Sequence, residues 1–129
     1  MSMSSNTQTS KKTVLIIEDD SVLAKMYSQK LLSEGYNVLL AGDGEEGYKM
    51  VTENNIDFVL TDIMLPRVSG IEFIQRLKAN KKKSKIPVVA WSNLPDEAEK
   101  ALSFGAKEYL IKGKVSLDEI AAVVKKYIS

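Results

Sequence analysis

The chain has 129 residues, 44% hydrophobic and 27% charged, which is enough apolar material for the core of one globular domain and too little chain for two. Eighteen Lys and Arg against 17 Asp and Glu leave a formal charge of +1, so no overall field draws the chain to nucleic acid or anionic lipid. With no Cys and no His, these residues offer no disulfide, no thiolate or imidazole ligand, no Ser-His-Asp triad and no phosphohistidine; carboxylate, ammonium, hydroxyl and backbone remain.

Residues 1–11 are polar, small and aperiodic, which predicts a solvated tail ahead of a domain over 12–129. They lack the apolar stretch of a secretory signal or membrane anchor, so a cytoplasmic protein is expected. From Thr13 onward, short apolar runs alternate with segments of helical period. The runs Val14 to Ile17, Asn37 to Leu40, Phe58 to Leu60, Val88 to Trp91 and Tyr109 to Ile111 are predicted strands. After the first, Ser21 is expected to cap a helix with Val22, Leu23, Met26, Tyr27 and Leu31 on one side, stopping near Gly35. A second helix follows the Gly42-Asp43-Gly44 turn to about Thr52, and a third runs from about Gly70 to Lys78 with Ile71, Ile74 and Leu77 inward. Pro95 suits the first turn of a fourth, closed by Gly105. A fifth carries Leu117, Ile120, Ala121, Val124 and Ile128. Five alternations of strand and helix call for a parallel sheet with helices on both faces, and VLII, FVL and VVAW have the continuous apolarity of strands buried on both sides.

In an open sheet of this class, ligands bind beyond the carboxyl ends of the strands. Run one ends in Glu18-Asp19-Asp20, run three in Thr61-Asp62, run four in Ser92-Asn93 and run five in Lys112. Parallel strands bring these groups to one edge. Several carboxylates together repel one another unless a cation joins them, and with oxygen ligands only, Mg²⁺ is the expected ion and Mn²⁺ its substitute. A carboxylate beside Mg²⁺, a hydroxyl and an ammonium form a set for phosphoryl transfer, in which Asp62, alone at the end of a central strand, is the best nucleophile and Lys112 and Ser92 face the phosphoryl oxygens. Each group has a bland reading by itself, as a helix-start acid, a cap or a solvent-facing lysine. Together they point to a site.

These residues resemble the receiver domain of two-component response regulators from about Lys12 to Ser129. The resemblance rests on VLIIEDD, the DG of AGDGEEGY, FVLTDIMLP followed by SG, PVVAWSN and GAKEYLIK, in family order. It implies a flavodoxin-like doubly wound sheet of five parallel strands in the order 2-1-3-4-5 with five helices. By the resemblance Asp62 is the phosphoacceptor, while Glu18, Asp19, Asp62 and the backbone carbonyl of Met64 hold the metal. Ser92 is the switch hydroxyl, Lys112 the phosphate-contacting lysine, and Tyr109 the aromatic that changes rotamer. Asp20 lies just outside the acidic pair. A histidine kinase or histidine phosphotransfer protein supplies the phosphoryl group, and the domain catalyses only its own modification and its slow reversal. A change of surface then signals to a downstream protein.

The departures are local. Gly113 follows Lys112 where the family usually has a cis Pro, so a trans bond or rearranged loop is expected. Asn93 stands where Ala or Gly is usual, and narrows the phosphoryl pocket or adds a donor. Met64 and Leu94 stand where side chains orient the hydrolytic water; both are apolar, which predicts a long-lived acyl phosphate. Trp91 reads as core or partial surface. KANKKKSK, Lys78 to Lys85, reads as a solvated connection, and no DNA-reading module accompanies it, so no direct nucleic-acid partner, no membrane partner, and a monomer or weak dimer are expected. A Mg²⁺-dependent phosphohydrolase is disfavoured because Met64 stands where a second Asp would be needed. A pseudo-receiver binding partners without phosphorylation is the alternative.

Overall fold

Five apolar runs form the five strands of a parallel sheet ordered β2-β1-β3-β4-β5 in the computed structural model, which describes residues 11–93 and 95–128. In chain order the elements are β1 Thr13–Ile17, α1 Ser21–Ser33, β2 Asn37–Ala41, α2 Gly44–Glu53, β3 Phe58–Asp62 and α3 Gly70–Ala79. There follow β4 Val88–Ser92, a 3₁₀ turn Pro95–Glu97, α4 Ala98–Ser103, β5 Glu108–Ile111 and α5 Leu117–Ile128. This is the doubly wound, flavodoxin-like order expected. The order reverses between β1 and β3, and a crevice opens there at the carboxyl edge.

Alternation along each strand divides the core in two. Leu15, Ile17, Val59, Val88 and Ala90 face Val51, Phe73, Ile74, Leu77 and Ala101 of α2, α3 and α4. Val14, Ile16, Phe58, Leu60, Val89 and Trp91 face Tyr27, Leu31, Ile120 and Val124 of α1 and α5. All residues of β3 and β4 are buried, while edge strand β2 leaves Leu40 42% exposed. Among the described residues no helix is long and apolar enough to cross a membrane.

Several expectations need correction. Asp20, not Ser21, caps α1, accepting hydrogen bonds from the N–H groups of Val22 and Leu23; both side chains are good caps, and the path of the chain out of β1 gives the position to Asp20. Val22 and Met26 do not share the inward face. They stand 67% and 43% exposed, while Ala24, Tyr27 and Leu31 make the buried stripe, so two apolar stripes on this helix read as one in the sequence. The fourth helix begins with a 3₁₀ turn and its α-helical part is only six residues long, ended as expected by Gly105 in the left-handed region at φ +120. KANKKKSK is not all solvated connection: Lys78 and Ala79 end α3, with Lys78 part-buried and donating to the carbonyls of Ser84 and Ile86, while the rest leads toward β4 at the sheet edge opposite Asp62, with Lys81, Lys82 and Lys85 exposed. The expected tail lies outside the described residues apart from Lys11, and so does Leu94.

Candidate functional site

The carboxyl ends of β1, β3 and β4 converge with the residue after β5. Glu18 continues β1, its N–H donating to the carbonyl of Ala41, and Lys112 continues β5, its N–H donating to the carbonyl of Ser92. Asp62 ends β3, in register with Trp91 of β4. Carboxylate oxygens of Glu18, Asp19 and Asp62 lie within 4.8 Å of one another. The Lys112 ammonium bridges two of them, donating to Glu18 Oε1 at 2.8 Å and to Asp62 Oδ2 at 2.6 Å. Asp62, Met64, Ser92, Asn93 and Lys112 line one pocket of about 230 Å³. Residues up to 94 apart in sequence thus meet because parallel strands all end on the same side.

Burial sets the electrostatics. The side chains of Glu18 and Asp62 are only 1% and 6% exposed, whereas Asp19 is open to solvent. Desolvation pushes the Glu18 carboxyl above its ordinary value, against hydrogen bonds from Lys112 and from the N–H of Asp20. Burial works to lower the Lys112 ammonium, but its bonds to Asp62 and Glu18 outweigh it and hold the group above its usual range. Three carboxylates facing one ammonium leave an excess of negative charge, and an all-oxygen donor set of this size fits a hard divalent cation.

Backbone contacts fix the nucleophile candidate. The N–H of Met64 donates to Asp62 Oδ1 at 3.1 Å, and Thr61 Oγ1 donates to the Asp62 carbonyl at 2.9 Å. Met64 therefore reaches Asp62 through its amide, while its side chain is 59% exposed at the pocket mouth. The start of α3 presses on the same strand end. A Cβ on Gly70 would stand 2.1 Å from the carbonyl oxygen of Asp62, so the SG pair after FVLTDIMLP is required by close approach. Across the crevice Asp43 caps α2, accepting from the N–H of Glu46, and pairs with Arg67, which itself adopts a left-handed φ of 62.

Ser92 is buried at the end of β4, and its side chain shares a hydrogen bond with Tyr109 of β5. Tyr109 is half-buried against the α2–α4 face of the core. Asn93 is exposed on the pocket wall. Gly113 takes φ +83, and among the described residues no peptide bond is cis, so the bond after Lys112 is trans as expected. Asp20 belongs to the α1 cap. Two residues of this region were not read as parts of it. Gly70 could have been found from the SG pair; Trp91, assigned to packing, is wholly buried with its ring 4.9 Å from Lys112 Nζ, and its place just before Ser92 was the available signal.

The family model described as the response regulator receiver domain matches residues 14–125. The chain belongs to the receiver-domain family. A curated relative, the uncharacterized transcriptional regulatory protein YcbL of Bacillus subtilis, is 39% identical over 116 residues, which cover 88% of this chain and 50% of that protein. The receiver domain described here spans about half, or less, of the length of the first curated relatives it matches. Among solved structures it is similar to the receiver domain of the Francisella response regulator 1452, with a TM-score of 0.82, 28% identity, and coverage of 91% of this chain and 96% of that one. It is also similar to the response regulator TrrA of Thermotoga maritima, solved in complex with Mg²⁺ and BeF, with a TM-score of 0.81, 29% identity, and coverage of 91% and 99%. Relatives of this receiver domain are thus signalling proteins.

Proposed function

We propose that this receiver domain accepts a phosphoryl group on Asp62 from a histidine kinase or histidine phosphotransfer protein. What supports the reading above all is the meeting of Glu18, Asp62, Ser92 and Lys112 about one pocket at the carboxyl edge of the sheet. An oxygen of Asp62 attacks phosphorus, a P–O bond forms, and the P–N bond of the donor breaks, its electron pair returning to the imidazole of the partner. The bound acyl phosphate presents three oxygens. Lys112 and the Ser92 hydroxyl face them, Asn93 adds a side-chain donor from the pocket wall, and the N–H of Met64 holds Asp62 in line.

Glu18, Asp19, Asp62 and the backbone carbonyl of Met64 would hold Mg²⁺, or Mn²⁺ in its place. The cation supplies neutralisation of charge on the transferring group. Once Asp62 carries phosphate, Ser92 is drawn toward it, its hydrogen bond with Tyr109 is exchanged, and Tyr109 turns, altering the surface of α4, β5 and α5 that a downstream protein reads. The domain modifies only itself. It acts as a cytoplasmic monomer or weak dimer through protein contacts, with neither nucleic acid nor membrane as direct partner.

Incubation with acetyl phosphate and Mg²⁺ is expected to add one phosphoryl mass to the wild type and none to Asp62→Asn. A wild type that gains no mass, or an Asp62→Asn variant that gains it equally, would defeat the reading and favour a phosphorylation-independent interaction module.

A further inference from the structure

The two carboxylates that anchor Lys112 are those the phosphoryl group and the cation would engage. In this structure the ammonium donates to Glu18 at 2.8 Å and to Asp62 at 2.6 Å. Once those oxygens turn to the cation and the phosphoryl group, the ammonium has to stay in place to meet the phosphoryl oxygens, and a contact independent of both carboxylates would keep it there. Gly113 follows at φ +83 with nothing within 4 Å of where its Cβ would stand, so no side chain at that position braces the lysine.

Trp91 lies under the same ammonium. Lys112 Nζ stands 4.9 Å from the centroid of its ring, within cation–π range, and the ring is wholly buried. Tyr27 of α1 meets it edge-on, with centroids 4.4 Å apart and planes at 76°, which fixes the tilt of the face. The indole Nε1–H is buried and finds no hydrogen-bond partner among the described residues. A leucine or phenylalanine would fill this part of the core without leaving such a donor unsatisfied. What indole offers here over those residues is a large negative face turned to a cation.

We propose that Trp91, braced by Tyr27, is the positioning residue for Lys112, holding its ammonium beside Asp62 while the carboxylates are engaged by the incoming group. The proposal rests on the phosphoacceptor reading of Asp62. An aromatic face keeps its attraction whatever Glu18 and Asp62 bind, because it carries no lone pair that a cation or phosphorus takes up.

The test uses the full chain with acetyl phosphate and Mg²⁺. Trp91→Leu is expected to lower the maximal rate of Asp62 phosphorylation about tenfold, with the half-saturating Mg²⁺ concentration little changed, while Trp91→Phe, which keeps a smaller face, stays within about threefold of wild type. A folded Trp91→Leu at the wild-type rate, or a Trp91→Phe as slow as Trp91→Leu, overturns the proposal. A second measurement holds even if Trp91→Leu fails to fold. Trp91 is the sole tryptophan, so its emission reports on the cation above it. The emission of the wild type is expected to differ from that of Lys112→Met both without Mg²⁺ and with saturating Mg²⁺, with calorimetry showing that both bind the metal. No difference between the two, or a difference that vanishes when Mg²⁺ binds, refutes the assignment. If no phosphoryl mass appears in the wild type, the reading of Asp62 fails, and the emission titration still decides whether Trp91 holds Lys112.

Discussion

Replacing Lys112 by methionine removes the ammonium that bridges Glu18 and Asp62 and keeps most of the side-chain volume. Glu18 and Asp62, nearly solvent-free, would then face each other with oxygens within 4.8 Å. Two unit charges that close repel by about 3.5 kcal/mol at an effective dielectric of about 20, a repulsion the ammonium offsets in the wild type; without it, and after relaxation toward solvent beside the exposed Asp19, about 2–3 kcal/mol of destabilisation is left at pH 7. The loss depends on pH with a definite sign. Burial already raises the Glu18 carboxyl, and loss of Lys112 raises it further. A carboxyl whose folded value lies above its unfolded one makes the folded state bind the extra proton, so the destabilisation is complete above the folded value and fades as pH falls through it toward the ordinary carboxylate range. Urea denaturation at pH 7 and pH 5, each with and without millimolar Mg²⁺, reads the effect. The variant is expected to lose midpoint at pH 7, to recover much of it at pH 5, and to gain more from Mg²⁺ than the wild type does. Equal midpoints for variant and wild type at pH 7, or a deficit that ignores both protons and Mg²⁺, would refute the electrostatic account of the site.

Gly70→Ala forces a Cβ to within 2.1 Å of the Asp62 carbonyl oxygen and 2.8 Å of the Ile63 Cα, so the β3–α3 junction must shift; we expect about 2–3 kcal/mol of lost stability and a slower gain of phosphoryl mass, and wild-type values in both assays would contradict it. Met64, exposed at the pocket mouth, cannot hydrogen-bond an attacking water, so the acyl phosphate should outlast minutes and Met64→Asn should shorten its life several-fold; a wild-type half-life of seconds, followed by intact-mass spectrometry, counts against this. Asp43 is held below its ordinary value chiefly by the Glu46 N–H and further by Arg67. Its cap of α2 is therefore fully present above the ordinary carboxylate range and lost as pH falls through the lowered folded value. Asp43→Ala should cost about 1–2 kcal/mol at pH 7, with the deficit shrinking in strong acid; a deficit that stays constant down to pH 2 would be the contrary result.

Period and punctuation made the architecture legible in the residues. VLII, FVL and VVAW could only be strands buried on both faces, and parallel pairing then required Glu18, Asp62, Ser92 and Lys112 to share an edge whatever their separation along the chain. Local signals were also sufficient for Gly105 as a helix stop and for the trans bond before Gly113. Where two local devices competed, the residues did not choose between them: Asp20 and Ser21 are both good caps, and only the path of the chain out of β1 gave the position to Asp20. The exposure of Val22 and Met26 was likewise decided by the rotation of α1 over the sheet, because hydrophobicity records what a side chain prefers and not which of two stripes meets a partner. The contact of Lys112 with the face of Trp91 and the pressure of Gly70 on Asp62 are set by distances between elements. Such distances follow from how all the side chains of both layers pack at once, and no segment of the sequence carries them alone.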